Sequence, residues 1–83
     1  MQEILNILPE QIAEMMRRID ANRIKEIQEI RLRINKPIRL KVGTEEYGLS
    51  EKGLTKLGGA YFTADDSARL WRKLSMHSPY TLI

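Results

Sequence analysis

Cysteine is absent from this chain, and histidine and tryptophan each occur once. Without cysteine there can be no disulfide, no thiolate metal site and no thiol nucleophile, and the lack of disulfides agrees with a reducing compartment. A lone histidine, His77, cannot build a metal cluster. Long apolar runs are missing too. No stretch approaches the about 20 residues of a membrane-spanning helix, and the first residues lack the basic start and unbroken apolar core of a signal peptide. The expected location is therefore cytoplasmic. There is no glycine-rich loop ending in Gly-Lys-Ser or Gly-Lys-Thr, and the one glycine pair, Gly58-Gly59, precedes a predicted strand rather than opening a helix. At 83 residues the chain is expected to form one domain, 1–83, too small to enclose a large active site.

What is present fits a globular module: 42% hydrophobic and 30% charged residues, outside the composition of disordered tails. The net charge of +3 is mild, but it is unevenly spread. From Arg17 to Lys41 nine basic residues face three acids, a local +6, while the rest of the chain carries five basic residues against eight acids, −3. Such segregation in a small domain suggests a docking surface for something acidic.

The center of that basic segment is Glu29-Ile30-Arg31-Leu32-Arg33-Ile34-Asn35-Lys36-Pro37-Ile38-Arg39-Leu40-Lys41-Val42. Period-two alternation predicts two strands joined at Asn-Lys-Pro, a hairpin over 29–42. Ile30, Leu32 and Ile34 share one face with Ile38, Leu40 and Val42, and Arg31, Arg33, Arg39 and Lys41 share the other. Like charges side by side across a strand pair destabilize it, so local acids or an anionic partner must compensate. Two readings of this face stay open: a solvated side neutralized by Glu29, Glu45 or Glu46, or a docking surface.

Around the hairpin the chain predicts a helix from about Pro9 to Asp20, with Pro9 first, Glu10 in the first turn, and Ile12, Met15, Met16 and Ile19 as its buried stripe. Met15 and Met16 are expected as core filler. Glu14 and Arg18 stand four apart and can pair. Ile24 and Ile27 fit either a helical turn or a strand entry. Gly43 to Glu46 reads as a turn, Tyr47-Gly48-Leu49 as a returning strand, Ser50 to Gly59 as a mobile loop, and Ala60-Tyr61-Phe62 as a last strand. Thr63 then caps a helix whose first turn carries Asp65 and Asp66. Leu70, Trp71 and Leu74 are its expected buried stripe, with Trp71 central to the core, and Met76-His77-Ser78-Pro79 is expected to end it, since the residue before a proline is disfavored in helical conformation. The expected fold is α+β: a small antiparallel sheet of three to four strands flanked by an N-terminal and a C-terminal helix around one core.

Catalytic constellations are weak. Asp65 and Asp66 are accounted for by capping, and casting Asp66, His77 and Ser78 as a hydrolytic triad fails on geometry, because His77 and Ser78 are neighbors at a helix end without evident oxyanion donors. No catalytic, cofactor or metal residue is predicted.

The runs Glu29 to Pro37 and His77-Ser78-Pro79-Tyr80-Thr81-Leu82, with Leu8-Pro9 ahead of them and the Thr63-x-x-Asp66 opening between, resemble the amino-terminal region of the stage III sporulation protein AA family. The resemblance covers Leu8 to Leu82. It implies membrane-associated cytoplasmic ATPases of endospore-forming bacteria, similar to the motors of type II and type IV secretion, that power a channel between mother cell and forespore. In such proteins a small domain precedes an ATPase core that uses ATP and Mg and assembles into a hexamer-like ring. The matching positions include no Walker motif, so no nucleotide-binding residue carries over. Pro79 stands where the family has an aliphatic residue. The sequence stops at Ile83, ahead of the acidic helix and Gly-Gly-His-Arg segment of such proteins, which implies an excised domain or a shortened gene.

The resemblance therefore implies a non-catalytic accessory domain with Arg31, Arg33, Arg39 and Lys41 as acidic-contact residues. Its implied partners are its own ATPase core, neighboring subunits and membrane proteins of the sporulation channel, not nucleic acid. The rival reading is a small basic nucleic-acid binder with Tyr47 or Tyr61 as a stacking platform. Acids at Glu45, Glu46, Asp65 and Asp66 weigh against it.

Overall fold

Leu8 and Pro9 end one helix and begin another. The computed structural model of the protein describes residues 2–77, and the motif Ser78 to Leu82 lies outside the described residues. Helix α1 (Gln2–Ile7) was not expected; α2 (Glu10–Arg17) follows at once, with Pro9 as its N-cap and the Pro9 carbonyl accepting from the Ile12 and Ala13 amides. The helix stops at Arg17 rather than Asp20, and a short α3 (Ala21–Ile24) carries the chain on to the sheet. Ile12, Met16 and Ile19 are buried and Met15 packs beside them, so the expected stripe and the methionine filler are both present.

The strands are β1 (Ile27–Arg31), β2 (Lys36–Pro37), β3 (Arg39–Val42), β4 (Glu45–Ser50), β5 (Gly53–Thr55) and β6 (Tyr61–Phe62). Four of them form an antiparallel sheet in the order β1-β3-β4-β5, and β2 pairs with β6 in a separate two-stranded ribbon. Helix α4 (Ala64–His77) closes the described chain. This is the expected α+β class, with helices at both ends and the antiparallel sheet between them.

The hairpin over 29–42 departs from its expected form. β1 pairs with β3, Ile30 opposite Leu40 and Arg31 opposite Arg39, but β1 ends at Arg31. Asn35 adopts a left-handed conformation, φ 63°, inside a turn in which the Lys36 amide donates to the Arg33 carbonyl. Asparagine tolerates that region better than most residues. The turn ties down to β6 through the Asn35 amide and Phe62 carbonyl, 2.6 Å. Alternation therefore stops early on the first strand and leaves Ile34 half exposed, while Ile38, Leu40 and Val42 are all buried as expected.

Ser50 to Gly59 contains β5, not only loop. Its signal was hidden between glycines. Gly48 explains why that segment can fold back, since a Cβ there would run into the Gly58 carbonyl oxygen.

Helix α4 starts with reciprocal hydrogen bonds, Asp66 amide to Thr63 Oγ1 at 3.0 Å and Thr63 amide to Asp66 Oδ2 at 2.9 Å, a capping box that occupies Asp66 structurally. Lys73 Nζ donates to the Leu8 carbonyl at 2.9 Å, so a cation of α4 satisfies the carbonyl end of α1. Leu70 and Leu74 turn inward, but Trp71 is 55% exposed and is not the center of the core. One residue on from Leu70 is a rotation of about 100°, enough to carry the ring off a stripe set by an i, i+4 leucine pair. The core centers instead on Leu8, Met16, Ile38, Leu40 and Leu49.

Candidate interaction surface

Strand parity sorts the charged residues into two sets. Glu29, Arg31, Arg39, Lys41 and Glu46 stand on the sheet face opposite the core, with Glu29 across from Lys41, Arg31 across from Arg39 and Lys41 across from Glu46. Arg31 Nη2 lies 3.3 Å from Glu29 Oε2 and its Nη1 lies 3.9 Å from Glu46 Oε1, while Arg39 Nη2 lies 3.6 Å from Glu46 Oε2. Glu46 thus bridges the two opposed arginines and relieves the like-charge pairing. Three of the four predicted residues, Arg31, Arg39 and Lys41, are brought together. Arg33 is exposed in the turn beyond β1 and is not part of the strand face.

With three cations against two acids, the face keeps a small positive excess. Its ion pairs are solvent-exposed and worth about 0–1 kcal/mol each, so the arginines can exchange local carboxylates for a partner's at little cost.

Glu45 belongs to the other side of the sheet, where an unexpected network lies. Arg23 Nη2 donates to Tyr47 Oη at 2.8 Å, Tyr47 Oη donates to Glu45 Oε2 at 2.9 Å, and Lys56 Nζ pairs with the same carboxylate. Both cations lie over the ring of Tyr47, at 5.0 Å for Arg23 and 4.6 Å for Lys56. The hydrogen bond from Lys56, then that from Tyr47, holds the Glu45 carboxyl below the usual carboxylate value. Arg23 and Lys56 are pushed up, chiefly by their hydrogen bonds to Tyr47 and Glu45 respectively. The sequence signal was the i, i+2 spacing of Glu45 and Tyr47, which puts both on one face; Arg23 and Lys56 came from distant segments. Tyr47 is buried by this arrangement and has no free ring face for a base, whereas Tyr61 is 59% exposed.

Two clefts stand out. A mixed-charge opening of about 540 Å³ between α2 and the end of β4 is lined in part by Gln11, Glu14, Arg18 and Glu51. There Arg18 donates to the Glu51 carbonyl at 3.4 Å. The other, about 340 Å³, is apolar and runs between α1, β1 and α4, with walls from Ile4, Leu8, Ile30, Leu32, Leu70 and Leu74. Among the described residues no three acidic, histidine or cysteine side chains gather as a metal site, and no helix is long and apolar enough to cross a membrane.

No family model and no solved structure matches the chain. Stage III sporulation protein AA of Bacillus subtilis (strain 168) is 34% identical to it over 82 residues, 99% of this chain and 24% of that protein. The resemblance seen in short motifs thus extends along nearly the whole sequence, including the basic strands. The chain spans about a quarter of the length of that relative. Over that span it is similar to part of a sporulation protein.

Proposed function

We propose, from the likeness to Stage III sporulation protein AA that runs through 99% of the chain, that this domain is the non-catalytic accessory part of an ATPase that energizes a secretion-type channel during endospore formation. In that role ATP and Mg are handled by a separate ATPase core, and the domain supplies contacts. Arg31, Arg39 and Lys41 on the strand face, joined by Arg33 beside it, contact acidic groups on the core, on a neighboring subunit of a ring, or on a membrane protein of the channel, with the assembly peripheral to the membrane on its cytoplasmic side. The observation carrying the reading is the identity itself; the weakly paired arginines supply the surface.

The test is genetic. In the organism that carries the gene, the paired reversal Arg31→Glu and Arg33→Glu is expected to leave the domain folded, judged by circular dichroism of the 83-residue chain, and to cut the yield of heat-resistant spores at least tenfold. Spore counts equal to wild type would remove the assembly role from this surface. Unchanged counts on deletion of the whole gene would remove the sporulation role.

A further inference from the structure

β1 is an outer strand of the four-stranded sheet, and among the described residues no strand pairs with its free edge. Along that edge, on the core side, runs the apolar groove of about 340 Å³, walled in part by Ile4, Ile30 and Leu32, with Ile4 39% exposed. Open backbone N–H and C=O groups bordered by apolar surface are the features by which a sheet takes on another strand. The sequence of the edge indicates which strand fits.

Glu29-Ile30-Arg31 is its own charge complement when reversed. An antiparallel copy centered on Ile30 sets Ile30 against Ile30 and Glu29 against Arg31 twice over, on the sheet face that carries Arg39 and Lys41. Moving the center one residue sets Glu29 on Glu29 or Arg31 on Arg31, and half-step shifts turn the apolar faces to opposite sides. The register shift between Ile27 and Glu29 confines the regular stretch to these same three residues. We propose that β1 is a homotypic docking edge: two copies of this chain pair antiparallel through Glu29–Arg31 about a twofold axis at Ile30, and the paired strands close the two grooves toward each other. The contact is short, below the about 1,200 Å² of stable interfaces, so the dimer forms at high concentration and separates on dilution. It stands on the edge alone, independent of the sporulation role.

Because the chain has no cysteine, Ile30→Cys supplies a single thiol. Directly opposed residues of antiparallel strands lie about 4.5–5.5 Å apart at Cα, within disulfide reach. Under mild oxidation of the concentrated 83-residue chain, Ile30→Cys is expected to give a covalent dimer. Gln28→Cys, whose counterpart would lie four residues along, about 13 Å away, is expected to give at least tenfold less. By sedimentation equilibrium, Glu29→Arg should weaken the dimer about tenfold or more, and Glu29→Arg with Arg31→Glu should restore it, circular dichroism confirming the fold of each. A chain that stays monomeric overturns the proposal, including one whose β1 amides are nevertheless protected from exchange, which would mean that its own residues cover the edge. Equal cross-linking at 28 and 30, or indifference to Glu29→Arg, overturns the register and the proposal with it.

Discussion

The two ends of the sheet are held in different ways, although β1 and β5 are both outer strands. At the β5 edge the strand is three residues long, its turn is held by Ser50 Oγ donating to the Gly53 carbonyl and accepting from the Lys52 amide, and the returning chain is tied to β4 by the Ala60 amide and Leu49 carbonyl at 2.7 Å. Beside it the Arg23, Tyr47, Glu45 and Lys56 network binds α3 and the segment after β5 to β4. Among the described residues β1 is tied at its two ends, by the Gly43 amide to the Glu26 carbonyl and by the turn at Asn35, and along its outer side it has a mostly apolar groove and charges that pair on the outer face. A small domain cannot bury everything. Here polar and backbone ties are concentrated where the chain must turn back on itself, and apolar surface is left where something else can be added.

The largest expected effect separates the center from the open edge. Leu40 is fully buried in β3, so Leu40→Ala should cost about 2–5 kcal/mol in urea denaturation, whereas Ile30→Ala on half-buried β1 should cost roughly half as much. Equal losses would mean that the β1 edge is packed as tightly as the center. Gly48→Ala probes the β4–β5 side, since its Cβ would meet the Gly58 carbonyl; a loss of about 1–3 kcal/mol is expected by the same measurement.

Tyr47→Phe removes the hydroxyl between Arg23 and Glu45 and should cost about 1 kcal/mol. The acid side sharpens this. Because the folded Glu45 carboxyl titrates below its ordinary value of 4.5, its contribution is complete above that value and is lost as pH falls toward the lower folded one. Thermal melts of Glu45→Gln should therefore fall less steeply below pH 4.5 than those of wild type. The smallest effect is expected at Trp71: with its ring 55% exposed, Trp71→Ala should change stability by less than about 0.5 kcal/mol. A loss of several kcal/mol would return tryptophan to the core.

These regions also differ in how far the sequence foretold them. Local signals were legible: Thr63 with Asp66 specified the cap of α4, Ile12 and Met16 specified the stripe of α2, with Ile19 buried just past its end, and Ile38, Leu40 and Val42 specified the buried face. Contacts between distant segments were not. β2 forms because Lys36-Pro37 meets Tyr61-Phe62, and β5 because Gly53-Leu54-Thr55 pairs back on Gly48-Leu49-Ser50, where Gly48 also leaves room for Gly58; neither pairing is announced by a local pattern. α1 was missed although Ile4, Leu5, Ile7 and Leu8 carry helical spacing, because a helix of six residues has little signal of its own. Among the predicted surface residues, alternation correctly put Arg31, Arg39 and Lys41 on one face but ran past the turn at Asn35, and so assigned Arg33 to a strand that had already ended.

Hydrogen exchange of the 83-residue chain, followed amide by amide in NMR at low and high protein concentration, tests the contrast between the edges most directly. The outward amides of Glu29 to Arg31 should exchange rapidly in the dilute sample and be protected at least tenfold more in the concentrated one, while β4 and β5 amides keep the same rates in both. β1 amides equally protected at both concentrations, or equally unprotected, would contradict an open edge that a second copy completes.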